Sequence, residues 1–232
     1  MRPRFVYFDL DDTLLDHREA ERRALADLHR QSAEHFGAVG FETLHSTYRQ
    51  HNGPLWRDYG LGQITKAQLK RLRFAHTLDA LGVRSLDPDR ASDTYLDRYG
   101  AHWQWSDGAR EAFHAIAQAL PVGILTNGFQ EQQRAKLAKL PEIEAHCEPD
   151  ALLIAEEIGT WKPHLPTFKL AAERAGVAPE EILYVGDSLR SDVEGGVAAG
   201  WSVVWWNGDP AHEEHGPRAT SDWADVLRLA GL

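Results

Sequence analysis

Phe5-Val6-Tyr7-Phe8-Asp9-Leu10-Asp11-Asp12-Thr13-Leu14-Leu15 is an apolar run that turns abruptly into carboxylates. Its aromatic and β-branched residues read as a buried strand over Phe5–Leu10. Asp9 and Asp11 concentrate negative charge in a small volume. Clustered carboxylates repel one another and resist desolvation, and a divalent cation is the simplest compensation. The stretch therefore points either to a metal-dependent site near residue 9 or to a solvated turn with chance acids. The rest of the chain separates the two.

Working outward, three further segments read as short buried strands: Val122–Thr126, Ile182–Val185 and Ser202–Trp206. Helical patterns cover Ala109–Leu120, Glu131–Leu140, Leu165–Ala175 and Asp192–Ala199, the last two followed by Gly176 and Gly200. Strands alternating with helices imply right-handed βαβ units. The expected fold is α/β, a Rossmann-like, mostly parallel sheet. Between the first two strands lies a stretch with helical periodicity and almost no strand signal. Its candidate helices are Arg18–Phe36, Phe41–His51, Thr65–Leu81 and Pro88–Tyr99, with Thr65 an N-cap and Gly82 a C′ glycine. This block is expected to be an inserted second, α-helical domain, residues 16–105, within an α/β core of residues 1–15 and 106–232.

The chain has 232 residues, of which 43% are hydrophobic and 26% charged, an ordinary globular composition. The formal net charge of −10 opposes a nucleic-acid groove, because the dominant phosphate attraction has the wrong sign. A single cysteine, Cys147, allows no internal disulfide and reads as a buried small hydrophobe. The first apolar run is too short for a secretory signal, and nothing approaches the ~18 apolar residues of a membrane span. A cytoplasmic protein, monomeric or a small homo-oligomer, with no membrane partner, is expected. His212 and His215 read as part of a polar loop.

In parallel α/β sheets, ligands bind beyond the carboxyl ends of the strands. The residues leaving each expected strand can therefore be gathered into one candidate site. They are Asp9, Asp11 and Thr13, then Thr126, Asn127 and Gly128, then Gly186, Asp187 and Ser188, with Asp192 a turn later. Lys162 sits between the last two groups. The set has a chemical logic. A carboxylate can attack phosphorus to give an aspartyl-phosphate. A second carboxyl two residues on can protonate the leaving oxygen and later accept a proton from water. Mg²⁺, a hydroxyl, backbone amides and a lysine can offset the phosphoryl charge.

In order, Asp9-Leu10-Asp11-Asp12-Thr13, Leu125-Thr126-Asn127-Gly128, Lys162-Pro163, and Gly186-Asp187-Ser188 with Asp192 resemble the four motifs of the haloacid dehalogenase superfamily. The resemblance implies that Asp9 is the nucleophile and Asp11 the general acid/base. Thr126, Asn127 and Lys162 then bind phosphate. Asp9, the backbone carbonyl of Asp11, and Asp187 hold Mg²⁺, and Asp192 supports them. Asp11 points to phosphoryl chemistry, since a departing halide needs no proton and an alkoxide does. Trp161 and His164 depart from the superfamily pattern beside Lys162 without removing a reacting group.

The long interval between the first two motifs resembles the type 1 helical cap. Within it, Tyr48–Trp56, Gly62–Thr65 and Arg73-Phe74 are similar to the pyrimidine 5′-nucleotidase-like branch. So is Thr126-Asn127-Gly128-Phe129 with Gln132 or Gln133 and Lys136-Leu137. Asn52, Trp56, Arg73 and Phe74 offer hydrogen bonds and a stacking face for a base or sugar, though aromatic residues at helical spacing also fit a plain core. The expected activity is a Mg²⁺-dependent phosphatase acting on a small phosphorylated metabolite, with a nucleoside 5′-monophosphate favoured. Its alternatives are an N-acetylneuraminate-9-phosphate-like sugar-phosphate phosphatase, a phosphomutase of the same fold, and a phospho-receiver or binding module. Gly186 is expected to permit a tight turn beside the metal. Trp201, Trp205 and Trp206 are expected in the core.

Overall fold

The computed structural model describes residues 2–209 and 218–232, so His212 and His215 lie outside the described residues. The chain divides into two compact units, Met1–His17 with Gln104–Leu232, and Arg18–Trp103.

The first unit is built on a sheet of strands β1 (Phe5–Phe8), β2 (Val122–Thr126), β3 (Cys147–Ile154), β4 (Ile182–Gly186), β5 (Ser202–Trp206) and β6 (Arg218–Thr220). Their order is β3-β2-β1-β4-β5-β6, and every pair is parallel. Every residue of β1, β2 and β4 is buried, as expected for strands covered on both faces. One face packs Phe5, Tyr7, Tyr184, Phe168 and Trp201 into a single cluster. On the other, Phe8 meets Phe113 edge-on at 5.6 Å. This is the Rossmann-like parallel sheet that the strand–helix alternation implies.

Two strands escape the sequence pattern. β3 begins Cys147-Glu148-Pro149-Asp150, polar residues that an edge strand tolerates and a central one does not. β6 is three residues long at the opposite edge. Cys147, at the start of β3, is only partly buried, which corrects its reading as a buried hydrophobe. Trp201 and Trp206 are core, whereas Trp205 is partly exposed.

The second unit is helical: α1 (His17–Gln31), α2 (Ala33–Phe36), α3 (Phe41–Gly60), α4 (Lys66–Ala80) and α5 (Pro88–Ala101). Its core gathers Leu25, Leu28, Leu44, Tyr48, Phe74, Leu78 and Tyr95. Phe74 is fully buried there, so it is core and offers no open stacking face. α3 runs on past His51, where the expected helix ends, through Gly53 and Pro54. Leu44, Tyr48 and Leu55 all bury from this helix, and that packing outweighs the local breaker. The single helix expected over Arg18–Phe36 divides at Ser32 into α1 and α2. α4 starts with a capping box, Thr65 accepting from the Gln68 N–H while Gln68 accepts from the Thr65 N–H.

The remaining helices belong to the first unit: α6 (Ala109–Ala119), α7 (Gln130–Lys139), α8 (Pro141–His146), α9 (Ala155–Ile158), α10 (Leu165–Ala175), α11 (Gly195–Ala198) and α12 (Trp223–Ala230). Asp192–Ala199 is not one regular helix. A wide π-type turn spans Leu189–Glu194 before α11, an irregularity that recurs at functional sites. No helix among the described residues is long and apolar enough to cross a membrane.

The Thr65 cap gives a direct check on the second unit. Thr65→Ala should cost about 1 kcal/mol, seen as a lower urea midpoint at unchanged slope, with Thr65→Ser restoring most of it. An unchanged midpoint for the alanine variant contradicts this account of α4.

Candidate active site

The strand order decides what can meet. β2, β1 and β4 are neighbours, with Phe8 in register with both Ile124 and Val185. Their carboxyl ends therefore deliver Asp9, Thr126 and Asp187 side by side. Asp9 is anchored by its N–H, which donates to Val185 O at 2.9 Å. The chain then folds back on itself: the Leu15 N–H donates to Leu10 O, and the Asp12 N–H to Leu15 O. Asp12 takes a left-handed φ of 58°, which Asp tolerates better than most residues. It shapes the loop that follows Asp9 and Asp11.

Asp9, Asp187 and Asp192 each offer an oxygen within 4.8 Å of the others. Lys162, buried on the loop before α10, reaches into this group. Its Nζ lies 2.9 Å from Asp9 Oδ1 and 2.7 Å from Asp192 Oδ1, and it donates to the Tyr184 hydroxyl at 2.7 Å. The Tyr184 hydrogen serves Leu125 O at 3.0 Å or Asp192 Oδ1 at 3.1 Å. Removing one member of such a buried pair leaves an uncompensated charge, at a cost of about 3–5 kcal/mol.

Asp192 is held on both oxygens, Oδ2 accepting from the Ser188 N–H and Oδ1 also from the Ser191 hydroxyl. Gly186 makes the room: a Cβ there would sit 2.6 Å from Asp192 Oδ2. Its role is this close approach. A tight turn is not involved, since Gly186 is the last residue of β4. Trp205 supports the same edge, its indole N–H donating to Asp187 O at 2.8 Å.

The electrostatics follow from burial. Desolvation pushes the Asp9 carboxyl up to about 7, with Asp192 and Asp11 adding to the rise and Lys162 opposing it. Burial disfavours the charged Lys162, but Asp192 and Asp9 outweigh it and raise its pKa. Asp11 moves the opposite way from Asp9. Burial opposes its ionisation, yet the Lys136 and His17 charges and hydrogen bonds from Lys136 and Gln133 hold it below the usual carboxylate range.

A cation fits this donor set. Asp9 Oδ1 approaches Lys162 without hydrogen-bond alignment and is a buried oxygen with no hydrogen bond. The three carboxylates form an all-oxygen group without His or Cys, the ligand chemistry of Mg²⁺ rather than Zn²⁺. The Asp11 side chain is not in the group, and its oxygens face Lys136 and Gln133.

The Asn127 side chain engages the lysine loop. Its amide donates to Lys162 O and accepts from the Lys162 N–H, each at 3.0 Å, clamping the lysine loop to the end of β2. The Thr126 hydroxyl accepts from Gln133 Nε2 at 2.8 Å. Tyr184, Gln133, Lys136 and Trp205 are site residues that strand-end reasoning does not select. Gln133 and Lys136 enter the sequence reading only through the branch resemblance, and Tyr184 and Trp205 only as members of apolar strands.

Asn52, Trp56 and Arg73 all belong to the helical unit. Asn52 donates to Glu21 at 3.4 Å, and Trp56 packs edge-on against Tyr59 at 5.9 Å. Arg73 is buried with its guanidinium 4.9 Å from the Tyr95 ring centroid, and its Nε and Nη2 lack hydrogen-bond partners.

Comparison with known proteins gives consistent matches. A model described as haloacid dehalogenase-like hydrolase covers residues 4–200. The chain is 31% identical over 232 residues to pyrimidine 5′-nucleotidase YjjG of Escherichia coli (strain K12), spanning 98% of this chain and 95% of that one. It is 29% identical over 218 residues to pyrimidine 5′-nucleotidase PynA of Streptococcus pneumoniae, covering 93% and 88%. The crystal structure of the HAD-hydrolase YfnB from Bacillus subtilis, bound to magnesium, aligns over 100% of both chains with a TM-score of 0.83 at 26% identity.

The raised Asp9 pKa sets a proton balance for cation binding. A ligand carboxyl must be ionised, so Mg²⁺ affinity should rise with pH through about 7. Calorimetry in buffers of different ionisation enthalpy should show about one proton released per ion near pH ~6 and almost none near pH ~8. Equal release at both pH values contradicts the assignment.

Proposed function

This chain belongs to the haloacid dehalogenase-like hydrolase family, and we propose that it is a phosphatase that cleaves a nucleoside 5′-monophosphate through an aspartyl-phosphate on Asp9. The observation that carries this reading is the meeting of Asp9, Lys162, Asp187 and Asp192 at adjacent strand ends, with Asp11 two residues on. Asp11 favours phosphate esters over halides, because an alkoxide leaving group needs a proton. The substrate class is supported by similarity to YjjG and PynA, each described as a pyrimidine 5′-nucleotidase.

In this reading an Asp9 oxygen attacks phosphorus in line with the ester oxygen. The P–O bond to the leaving group breaks, and its electron pair departs with the alcohol oxygen, which takes a proton from Asp11. Water then attacks the phosphorus. The acyl-phosphate P–O bond breaks, its pair returns to Asp9, and the water proton passes to Asp11. Lys162 and the Thr126 hydroxyl bind phosphoryl oxygens, and Asn127 keeps the Lys162 loop in place. Asp9, the Asp11 backbone carbonyl and Asp187 would hold Mg²⁺. Asp192, whose oxygens are already hydrogen-bonded, supports them through Lys162 and Ser188. The ion supplies positive charge that offsets the repulsion between the carboxylate and the phosphate.

The Arg18–Trp103 unit acts as the cap, with Asn52, Trp56 and Arg73 contributing to leaving-group recognition. Its unpartnered Arg73 N–H groups are donors suited to a carbonyl or ring nitrogen.

Phosphate release should be measured over nucleoside 5′-monophosphates and sugar phosphates. Expected are the highest kcat/KM for a pyrimidine nucleotide, loss of activity with chelator, and a fall on the order of a thousandfold or more in Asp9→Asn. Activity near wild type in Asp9→Asn removes the nucleophile assignment. Return of the phosphoryl group to the substrate would identify a mutase.

A further inference from the structure

We infer that Lys136 and Gln133 are positioning residues that hold the Asp11 carboxylate and tie it to Thr126. The inference rests on the proton-transfer role proposed for Asp11. α7 buries Gln133, Lys136 and Leu137, so two of the three side chains on its inner face are polar. Lys136 is 2% and Gln133 1% exposed. Burying an ammonium costs several kcal/mol unless it is paired, so a fold that keeps one there needs a compensating partner.

The geometry identifies that partner. Lys136 Nζ lies 2.7 and 2.8 Å from the two Asp11 oxygens and donates to Gln133 Oε1 at 2.8 Å. This contact fixes the orientation of the Gln133 amide. Its Nε2 then faces Asp11 Oδ2 at 3.1 Å, Thr126 Oγ1 at 2.8 Å and Asn127 O at 3.2 Å. Gly128 provides the space, since a Cβ there would lie 2.9 Å from Gln133 Cδ. Holding both carboxylate oxygens fixes where Asp11 points. It also divides the acidic cluster, with Lys136 offsetting Asp11 while Asp9 and Asp187 are left for the cation.

The test uses the full chain and p-nitrophenyl phosphate, whose phenolate leaves without needing a proton. Phosphorylation of Asp9 then dispenses with Asp11, while attack by water still requires it. Lys136→Met, Gln133→Ala and Asp11→Asn are compared for single-turnover nitrophenolate release, steady-state kcat and KM, and acid-quenched protein-bound phosphate. In Lys136→Met and Asp11→Asn, kcat and KM should fall together by about tenfold or more while single-turnover nitrophenolate release and kcat/KM stay within about threefold. Gln133→Ala should move the same way by less, and protein-bound phosphate should accumulate in all three. If Asp11→Asn shows this split while both α7 variants lose both steps together, or lose neither, the positioning role is overturned and the Asp11 assignment survives. If Asp11→Asn shows no split, that assignment falls and the inference with it. Should Lys136→Met fail to fold, Gln133→Ala, which keeps the ion pair, decides alone.

Discussion

Crowding carboxylates into a dry space at neighbouring strand ends is the constraint on which this structure depends. Asp9, Asp187 and Asp192 come within 4.8 Å of one another because β1 and β4 are adjacent and a wide turn after Ser188 swings Asp192 inward. Left alone, such a group would repel itself apart or take up protons. Here positive charge arrives from two directions: Lys162 on the loop before α10, and Lys136 on α7. Each ammonium is buried and each meets a different carboxylate set. The environments of Asp9 and Asp11 consequently diverge, one carboxyl raised by desolvation and the other lowered by its ammonium.

Much of this was legible in the sequence, for identifiable reasons. Central parallel strands must be apolar throughout, so β1, β2, β4 and β5 stand out, and the polar residues that follow them mark the site end. Edge strands carry no such requirement, which hid β3 behind Glu148-Pro149-Asp150 and left the three residues of β6 unreadable. The helix expected to end at His51 continues through Gly53 and Pro54 because the burial of Leu44, Tyr48 and Leu55, which the sequence does not display, outweighs local propensity. The site was legible where residues follow strands. It was not legible where a helix face or a strand interior supplies the group. Tyr184 lies within an apolar strand, and Gln133 and Lys136, which only the branch resemblance singles out, look by residue pattern like any polar helix surface until the fold turns them inward. Asn127 was legible as a site residue, but its clamp on the Lys162 backbone depends on a loop distant in sequence.

The helical unit carries a different kind of information. Its core is a conventional aromatic and aliphatic cluster, and Phe74 belongs to it. Among these apolar residues sit a buried guanidinium, Arg73, and Asn52 bonded to Glu21. Unsatisfied buried donors are expensive, so this polar group is the part of the unit least explained by folding alone.

The central claim is that adjacent strand ends assemble one centre in which a cation sits beside a nucleophilic Asp9. The most direct measurement is a crystal structure grown with magnesium and beryllium trifluoride, a mimic of the phosphoryl group. The account predicts beryllium bonded to an Asp9 oxygen, within reach of Lys162 and Thr126, and an ion between Asp9 and Asp187. Beryllium on another residue, or an ion bound away from both aspartates, would contradict it.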